Sequence, residues 1–143
     1  MRAGGAGRSS RSQTVGGSGR RASLPDIVQV HTTVDSKAEA DRLAAIMIEA
    51  RLAACVQIQG PIASVYRWQG HIEHATEWRC AFKTTKQAVG SLRTRLVSEH
   101  RYDVPEILVT SAEAEESYAE WIVSETGPHP PDSRHQPSGG NRE

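Results

Sequence analysis

The sequence is poor in cysteine, in aromatic residues and in long apolar runs. Its 143 residues include two cysteines, and Phe, Trp and Tyr together make up 5% of the chain. Cys55 and Cys80 match neither a CxxC redox motif nor a zinc-binding spacing, so both are expected to be small core residues. No apolar run reaches the length of a signal peptide or of a membrane span. These absences predict a cytoplasmic protein that does not contact a membrane.

Acidic residues are absent from the first 25 residues, which contain five arginines, no lysine and many Gly and Ser. A segment with so few apolar side chains cannot bury a core, so residues 1–25 are predicted to be disordered. Residues 127–143 share the bias toward Pro, Gly and Ser and receive the same prediction. The folded domain is therefore expected over residues 26–126. An acid-free, Arg- and Ser-containing N-terminus is also typical of organelle transit peptides, so import into an organelle stays open.

Basic residues are outnumbered in the predicted domain. It contains 10 Lys and Arg against 15 Asp and Glu, a net charge of −5, although the whole chain is neutral. Nucleic acids are bound through basic surfaces, so an acidic domain argues against them as partners. The sequence also lacks a glycine-rich phosphate loop, a serine elbow and any convincing pair of nucleophile and base. We therefore expect a protein that is not an enzyme and that does not bind nucleic acid.

The spacing of apolar residues changes along the predicted domain and indicates an α+β fold in the order β-α-β-β-α-β-α. This is the ferredoxin-like βαββαβ plan, an antiparallel four-stranded sheet with two helices on one face, plus an extra C-terminal helix. A capping box at Ser36 and Glu39 predicts the start of the first helix. The apolar edge of the last helix is predicted to be Tyr118, Trp121 and Ile122. Strands are predicted over residues 27–33, 54–58 continuing at 62–68, 71–84 and 106–110, and helices over residues 37–50, 85–100 and 114–125.

The central hairpin carries large side chains on both of its faces. Tyr66 and Trp68 alternate with Val65 and Arg67, whereas two helices can cover only one face of a four-stranded sheet. A chain of this size also buries only slightly more apolar surface than a stable monomer requires. We therefore expect other subunits to cover the second face of the sheet.

Residues 100–106 place an imidazole, a phenol and two carboxylates where the second helix ends. Pro105 disfavours a helical conformation for Val104, so the helix is predicted to end near His100 and a strand to begin at Glu106. Polar side chains that gather at such a junction can converge on one ligand. This segment is therefore the strongest candidate for a functional site.

Five segments in order resemble the CutA family of divalent-cation tolerance proteins, and the resemblance covers residues 27 to about 125. It implies a ferredoxin-like, PII-like subunit that forms a homotrimer and is associated with tolerance of copper and other divalent ions. The segments are RLAACV at 51–56, SVYRWQG at 64–70, Glu73, KTT at 83–85 and HRYDVPEI at 100–107. The family usually has proline where this chain has Arg101.

The resemblance implies a metal site formed by His31, Glu99 and His100. In bacterial relatives with proposed metal ligands, a cysteine and two adjacent histidines occupy these positions. Imidazole and carboxylate suit Cu(II), Ni(II) or Zn(II) better than Cu(I), so Cu(II) is the expected ion. The alternative is structural: His31 can be satisfied by backbone hydrogen bonds, and Glu99 and His100 can merely end a helix.

A second site is expected in a cleft between subunits. In the alternative function, a PII-like module, a small anionic effector would bind in such a cleft through Lys83, Arg67 and His100. An unknown protein partner that reads the signal is also left open. The residues expected to line the cleft are Trp68, Glu77, Lys83, Tyr102 and Glu106.

Overall fold

The computed structural model describes residues 23–128. The four strands and three helices follow one another in the order that the sequence predicts. They are β1 (Asp26–Val34), α1 (Lys37–Glu49), β2 (Cys55–Trp68), β3 (His71–Thr84), α2 (Val89–Glu99), β4 (Leu108–Glu113) and α3 (Glu116–Glu125). The predictions of disorder concern residues 1–25 and 127–143, of which residues 1–22 and 129–143 lie outside this range.

The strands form one sheet in the order β2-β3-β1-β4. All three strand pairs are antiparallel, and β1 lies in the interior, where Val30 pairs with Phe82 of β3 and with Val109 of β4. β2 and β4 are the outer strands. The described chain is therefore a mixed α+β structure built on a single antiparallel sheet.

The main core lies between the sheet and helices α1 and α2. Because neighbouring residues of a strand point to opposite faces, the even-numbered residues of β1 face these helices. Burying a leucine or valine side chain contributes about 1.5–3 kcal/mol, so this layer supplies most of the apolar stabilisation. Its buried members include Val28, Val30, Val34, Leu43, Met47, Cys80, Phe82, Leu92 and Leu96.

Helix α3 packs on the other face of the sheet, at the beginning of β1. Ala119 and Ile122 pack against Ile27, an odd-numbered residue of β1, and all three are buried. Tyr118 and Trp121, the other members of the predicted apolar edge, are 37% and 43% exposed in the single chain. The narrow contact with β1 is made by Ala119 and Ile122.

The β2–β3 hairpin turns at Gln69 and Gly70, whose φ angles of 49° and 83° are both positive, as in a type I′ turn. In the first half of β2, away from this turn, the pairing with β3 shifts its register between Gln59 and Ile62. Gly60 lies at this irregularity and its backbone abuts the Trp78 indole so closely that a Cβ atom would overlap the ring. The sequence predicted both the turn and the irregularity.

Helix α1 begins as predicted, because the Ser36 hydroxyl accepts a hydrogen bond of 3.1 Å from the Glu39 amide. Helix α2 begins later than predicted, at Val89. The Thr85 hydroxyl accepts a 3.1 Å hydrogen bond from the Ala88 amide and stabilises a turn that precedes the helix. The cap predicted at Ser36 therefore begins a helix, whereas the cap predicted at Thr85 closes a turn before the helix.

Strand β4 begins at Leu108 and not at residue 106. Its pairing with β1 ends at His31, opposite Leu108. The next two residues of β1, Thr32 and Thr33, are contacted by the His100 ring. The side chain of His100 therefore contacts β1 directly beyond the end of its pairing with β4.

Candidate functional site

His100 ends helix α2, and its ring is fixed by three hydrogen bonds. Its Nε2 atom lies 3.0 Å from the Thr32 hydroxyl oxygen and 3.1 Å from the Thr33 carbonyl oxygen. Its Nδ1 atom accepts a hydrogen bond of 3.1 Å from the Tyr102 amide. A backbone N–H group can only donate, so Nδ1 of the neutral ring is unprotonated and Nε2 carries the proton. The ring thereby ties the segment after α2 to the end of β1.

Burial lowers the pKa of His100 below its usual value, although its hydrogen bond to Thr33 and the charge of Glu39 act in the opposite direction. The imidazole is therefore neutral near pH 7, which is the form that binds metal ions. Both ring nitrogens are nevertheless occupied by partners of the same chain. A metal ion can bind His100 only if it displaces one of them.

Glu99 is held by two arginines. Its carboxylate accepts hydrogen bonds of 3.0 Å from Arg42 and 3.2 Å from Arg95, and these bonds, that of Arg42 foremost, lower its pKa. Arg42 also donates to the Glu99 carbonyl at 2.7 Å. The carboxylate is thus ionised, as a metal ligand must be, but a metal ion would compete with Arg42 and Arg95 for it.

His31 lies on a different side of the sheet. It is half-buried in β1 between Ala81 and Leu108, and as an odd-numbered residue it faces away from α1 and α2. His100 bonds the side chain of Thr32, which faces those helices. Within one chain, His31 and His100 are therefore not brought together. Across residues 23–128 there is no group of three His, Cys, Asp or Glu side chains placed to hold a metal ion.

A pocket of about 720 Å³ lies at the end of the sheet, beside the segment that follows α2. It contains four of the five residues expected in a cleft: Trp68, Glu77, Tyr102 and Glu106. Lys83 is not among its lining residues; it lies at the far end of β3, paired with Gln29. The complete lining is Thr33, Ser64, Val65, Tyr66, Trp68, Glu77, Arg79, Arg101, Tyr102, Asp103, Val104 and Glu106.

Glu77 and Tyr102 form the buried part of this pocket. The Tyr102 hydroxyl donates a hydrogen bond of 2.9 Å to the Glu77 carboxylate, and Glu77 is only 7% exposed. Burial, together with the neighbouring Glu77 charge, raises the pKa of Tyr102 above its usual value. The phenol therefore remains protonated and acts as the donor to the carboxylate.

Two arginines of the pocket were missed by the sequence analysis. Arg79 follows Glu77 by two residues in β3, so strand alternation alone places it on the same face. Arg101, which stands where the resembled family usually has proline, also lines the pocket. Its Nε atom also lies 3.4 Å from the Glu39 carboxylate of α1, a contact that no local pattern predicts.

Large apolar side chains are exposed around the hairpin next to the pocket. Val65 and Ile72 are 61% and 62% exposed, and Tyr66 and Trp68 are also exposed. This is a surface suited to contact with another protein chain.

No helix in the described part of the chain is long and apolar enough to cross a membrane.

Comparisons with known proteins give one consistent result. The family model for the CutA1 divalent ion tolerance protein matches residues 28–125. The Divalent-cation tolerance protein CutA of Thermus thermophilus is 40% identical over 96 residues, which are 66% of this chain and 93% of that protein. Protein CutA 1, chloroplastic, of Oryza sativa is 35% identical over 104 residues, which are 72% of this chain and 58% of that protein.

The solved structures agree. CutA from Synechococcus elongatus is 40% identical, and its structure superposes with a TM-score of 0.70, covering 73% of this chain and 94% of that one. The Thermus thermophilus protein superposes with a TM-score of 0.67 at 38% identity, covering 72% of this chain and all of that one. With a family model that matches most of the described residues, the chain belongs to the CutA1 divalent ion tolerance protein family.

Proposed function

We propose that this protein acts in the tolerance of divalent cations as a ferredoxin-like homotrimer that binds Cu(II). The observation that carries the proposal is the family match over residues 28–125, which includes both the first strand with His31 and the segment with Glu99 and His100. The protein is proposed to have no catalytic activity and no nucleic-acid or membrane partner.

The proposed ligands are His31, Glu99 and His100. Support for Glu99 and His100 comes from their charge states, since an ionised carboxylate and a neutral imidazole are the forms that coordinate a metal ion. Binding is expected to be weak, because Cu(II) must compete with Arg42 and Arg95 for Glu99. At His100 it must displace either the Tyr102 amide or the two bonds to Thr32 and Thr33. His31 would complete the set only after rearrangement or across a subunit boundary. A weak site of this kind suits buffering or sensing of excess ion.

The proposed trimer rests on the exposed apolar hairpin. Val65, Tyr66, Trp68 and Ile72 are all exposed in the single chain. Covering apolar surface contributes about 25 cal/mol per Å², so side chains of this size would stabilise an assembly by several kcal/mol. The cytoplasm is the proposed location. Two plant relatives are named chloroplastic, which keeps organelle import as the alternative.

The alternative function, sensing of a small anionic effector, receives less support. Arg79 and Arg101 line the pocket, but three carboxylates, those of Glu77, Asp103 and Glu106, line it as well. Carboxylates that outnumber the cationic groups make the pocket unfavourable for an anion.

Calorimetric titration of the full-length protein with Cu(II) tests the metal proposal. Binding should weaken as the pH falls through the histidine range, because protons compete for the imidazole nitrogens. His100→Ala should remove most of the binding and His31→Ala should weaken it further. His71→Ala, which alters an exposed histidine of β3, is the matched control and should have little effect. Equal Cu(II) affinity of the wild type and the His31→Ala, His100→Ala double variant would refute the ligand set.

A further inference from the structure

Arg51 joins the end of α3 to the turn between α1 and β2. Its guanidinium donates a hydrogen bond of 2.7 Å from Nε to the Gly127 carbonyl and one of 2.7 Å from Nη2 to the Ser124 carbonyl. Its Nη1 atom lies 3.8 Å from the Glu125 carboxylate. The Gly127 amide in turn donates a bond of 2.9 Å to the Arg51 carbonyl. One side chain thus holds two distant segments of the chain together.

Arg51 has a backbone conformation that arginine rarely adopts. Its φ angle is 57°, in the left-handed region, at the position after α1 where glycine is common. A residue with a Cβ atom is disfavoured there. Glycine would therefore suit the turn itself better, and the contacts of the guanidinium with α3 account for the presence of arginine.

Helix α3 depends on this support because its own sequence stabilises it poorly. It has ten residues, and an isolated helix of this length is marginal in water. No side chain of the described residues caps its N-terminus, and its sequence has no basic residue to interact with the negative end of the helix dipole. Arg51 supplies that charge and binds carbonyl groups that the last turn leaves free.

The apolar contact of α3 with the sheet is small. Its buried members are Ala119 and Ile122 of the helix and Ile27 of β1, packed among partly buried alanines. This cluster is separate from the main core between the sheet and helices α1 and α2. Segments that bury little apolar surface open at a lower cost in free energy than core segments do.

We infer that α3 opens and closes as a unit on the otherwise folded domain, and that Arg51 holds it closed. In the open state the guanidinium releases the carbonyl groups of α3, and the helix uncovers Ile27 and Cys55. The main core keeps its structure. The inference goes beyond the proposed function and uses none of the proposed metal ligands. It concerns the end of the sheet where β2 begins, opposite to the β2–β3 turn of the same chain.

Cys55 reports on this opening. It is partly buried at the start of β2, next to Ala54, which packs against the α3 cluster. Tyr118 of α3 lies close by: burial foremost, and then the charge of Cys55, raises the pKa of Tyr118. Cys80 is fully buried in the main core, and burial raises its pKa to about 11. A thiol reagent therefore distinguishes opening of α3, at Cys55, from unfolding of the domain, at Cys80.

Amide hydrogen exchange of the full-length protein, followed by NMR in EDTA, tests the opening. The amides of Ala119 and Ile122 should have protection factors at least about tenfold lower than those of Val30 and Phe82 in the main core. Equal protection of the two groups would show that α3 opens only when the whole domain unfolds, and would overturn the inference.

Arg51→Gly tests the role of the guanidinium, because glycine adopts the left-handed backbone without strain. Exchange at Ala119 and Ile122 should become about tenfold faster or more, the loss typical of hydrogen bonds from a charged group. Gln69→Gly is the matched control: Gln69 also has a positive φ angle, 49°, but it lies in the β2–β3 turn and should leave exchange in α3 unchanged. Unchanged exchange in α3 of a folded Arg51→Gly protein would overturn the inference.

Reaction with dithiobis(nitrobenzoate), which forms a mixed disulfide with a thiolate, provides the second readout. Cys55 should react about tenfold faster or more in Arg51→Gly than in the wild type or in Gln69→Gly, while Cys80 stays unreacted. Equal Cys55 rates in the three proteins would overturn the inference. If Arg51→Gly does not fold, Arg51→Lys replaces it, because a lysine ammonium keeps the charge but lacks the planar fork that bonds two carbonyl groups. Exchange in α3 should again be faster than in the wild type, and unchanged exchange would overturn the inference.

Discussion

Arg42 and Glu39 form a bidentate ion pair within the first turns of α1. Arg42 donates hydrogen bonds of 3.0 Å from Nε and 2.6 Å from Nη2 to the two carboxylate oxygens of Glu39. The Glu39 side chain is 3% exposed, and the Arg42 bonds are the main reason why its pKa is lowered. The same guanidinium donates to the carboxylate and the carbonyl of Glu99. Arg42 therefore joins the beginning of α1 to the end of α2, immediately before His100.

Replacing Arg42 with alanine should destabilise the protein by about 1–3 kcal/mol, because Glu39 and the Glu99 carbonyl each lose a donor. Guanidinium unfolding at a fixed protein concentration measures the change. Lys37→Ala is the control, since its pair with Asp41 is exposed on both sides and should contribute less than about 1 kcal/mol. Similar losses in the two variants would show that Arg42 does not join the helices.

The order of elements could be predicted because it depends on local periodicity. The alternation of Trp78, Cys80 and Phe82 and the spacing of Leu92 and Leu96 are visible in the sequence. All five face the main core, in which Trp78 is partly buried and the other four are buried. Element ends were less predictable. Strand β4 starts only opposite His31, and the contacts of His100 with the next residues of β1 are tertiary contacts that leave no local signal in the sequence.

The site was predictable to the extent that it is contiguous in sequence. The segment with His100 and Tyr102 was recognised from its composition alone. Arg42 was not, because it reaches Glu99 across 57 residues of sequence. Lys83 shares the strand face of Glu77 but lies at the other end of β3, and face periodicity gives no information on position along a strand.

Gly60→Ala should destabilise the protein by about 1–3 kcal/mol, because the added methyl group would overlap the Trp78 indole and force it to move. Thermal unfolding and near-ultraviolet circular dichroism of the tryptophans measure the effect. Gly90→Ala is the matched control in α2, where no atom lies within 4 Å of the added carbon. It should stabilise the helix by about 0.5–1 kcal/mol. A neutral Gly60→Ala would mean that Trp78 moves freely.

We expect a fall in pH to lower the free energy of unfolding, because His100 becomes protonated. Its pKa in the folded chain is lowered from 6.5, chiefly by burial, so below pH 6.5 the unfolded chain binds the proton more readily. The contribution of the neutral ring is therefore complete above pH 6.5 and is lost as the pH falls below that value. Protonation of Nδ1 would also remove the acceptor of the Tyr102 amide.

Urea unfolding in EDTA between pH 7.5 and 5 measures this dependence. His100→Gln should flatten the stability profile in this range, whereas His71→Asn, at an exposed position, should leave its slope unchanged. A wild-type slope that persists in His100→Gln would assign the pH dependence to other groups.

Val65→Asp should dissociate the proposed homotrimer. Val65 is 61% exposed in the single chain, so the substitution costs the isolated subunit little. In an assembly that covers the hairpin, the same change would bury an unpaired carboxylate, which is strongly unfavourable. Sedimentation equilibrium should give a mass about three times 15.6 kDa for the wild type and a mass near 15.6 kDa for the variant. Ile48→Asp, at an exposed apolar position of α1 away from the hairpin, should leave the mass of the wild type. A wild-type protein that stays monomeric at micromolar concentration would refute the trimer, and a trimeric Val65→Asp would place its interface elsewhere.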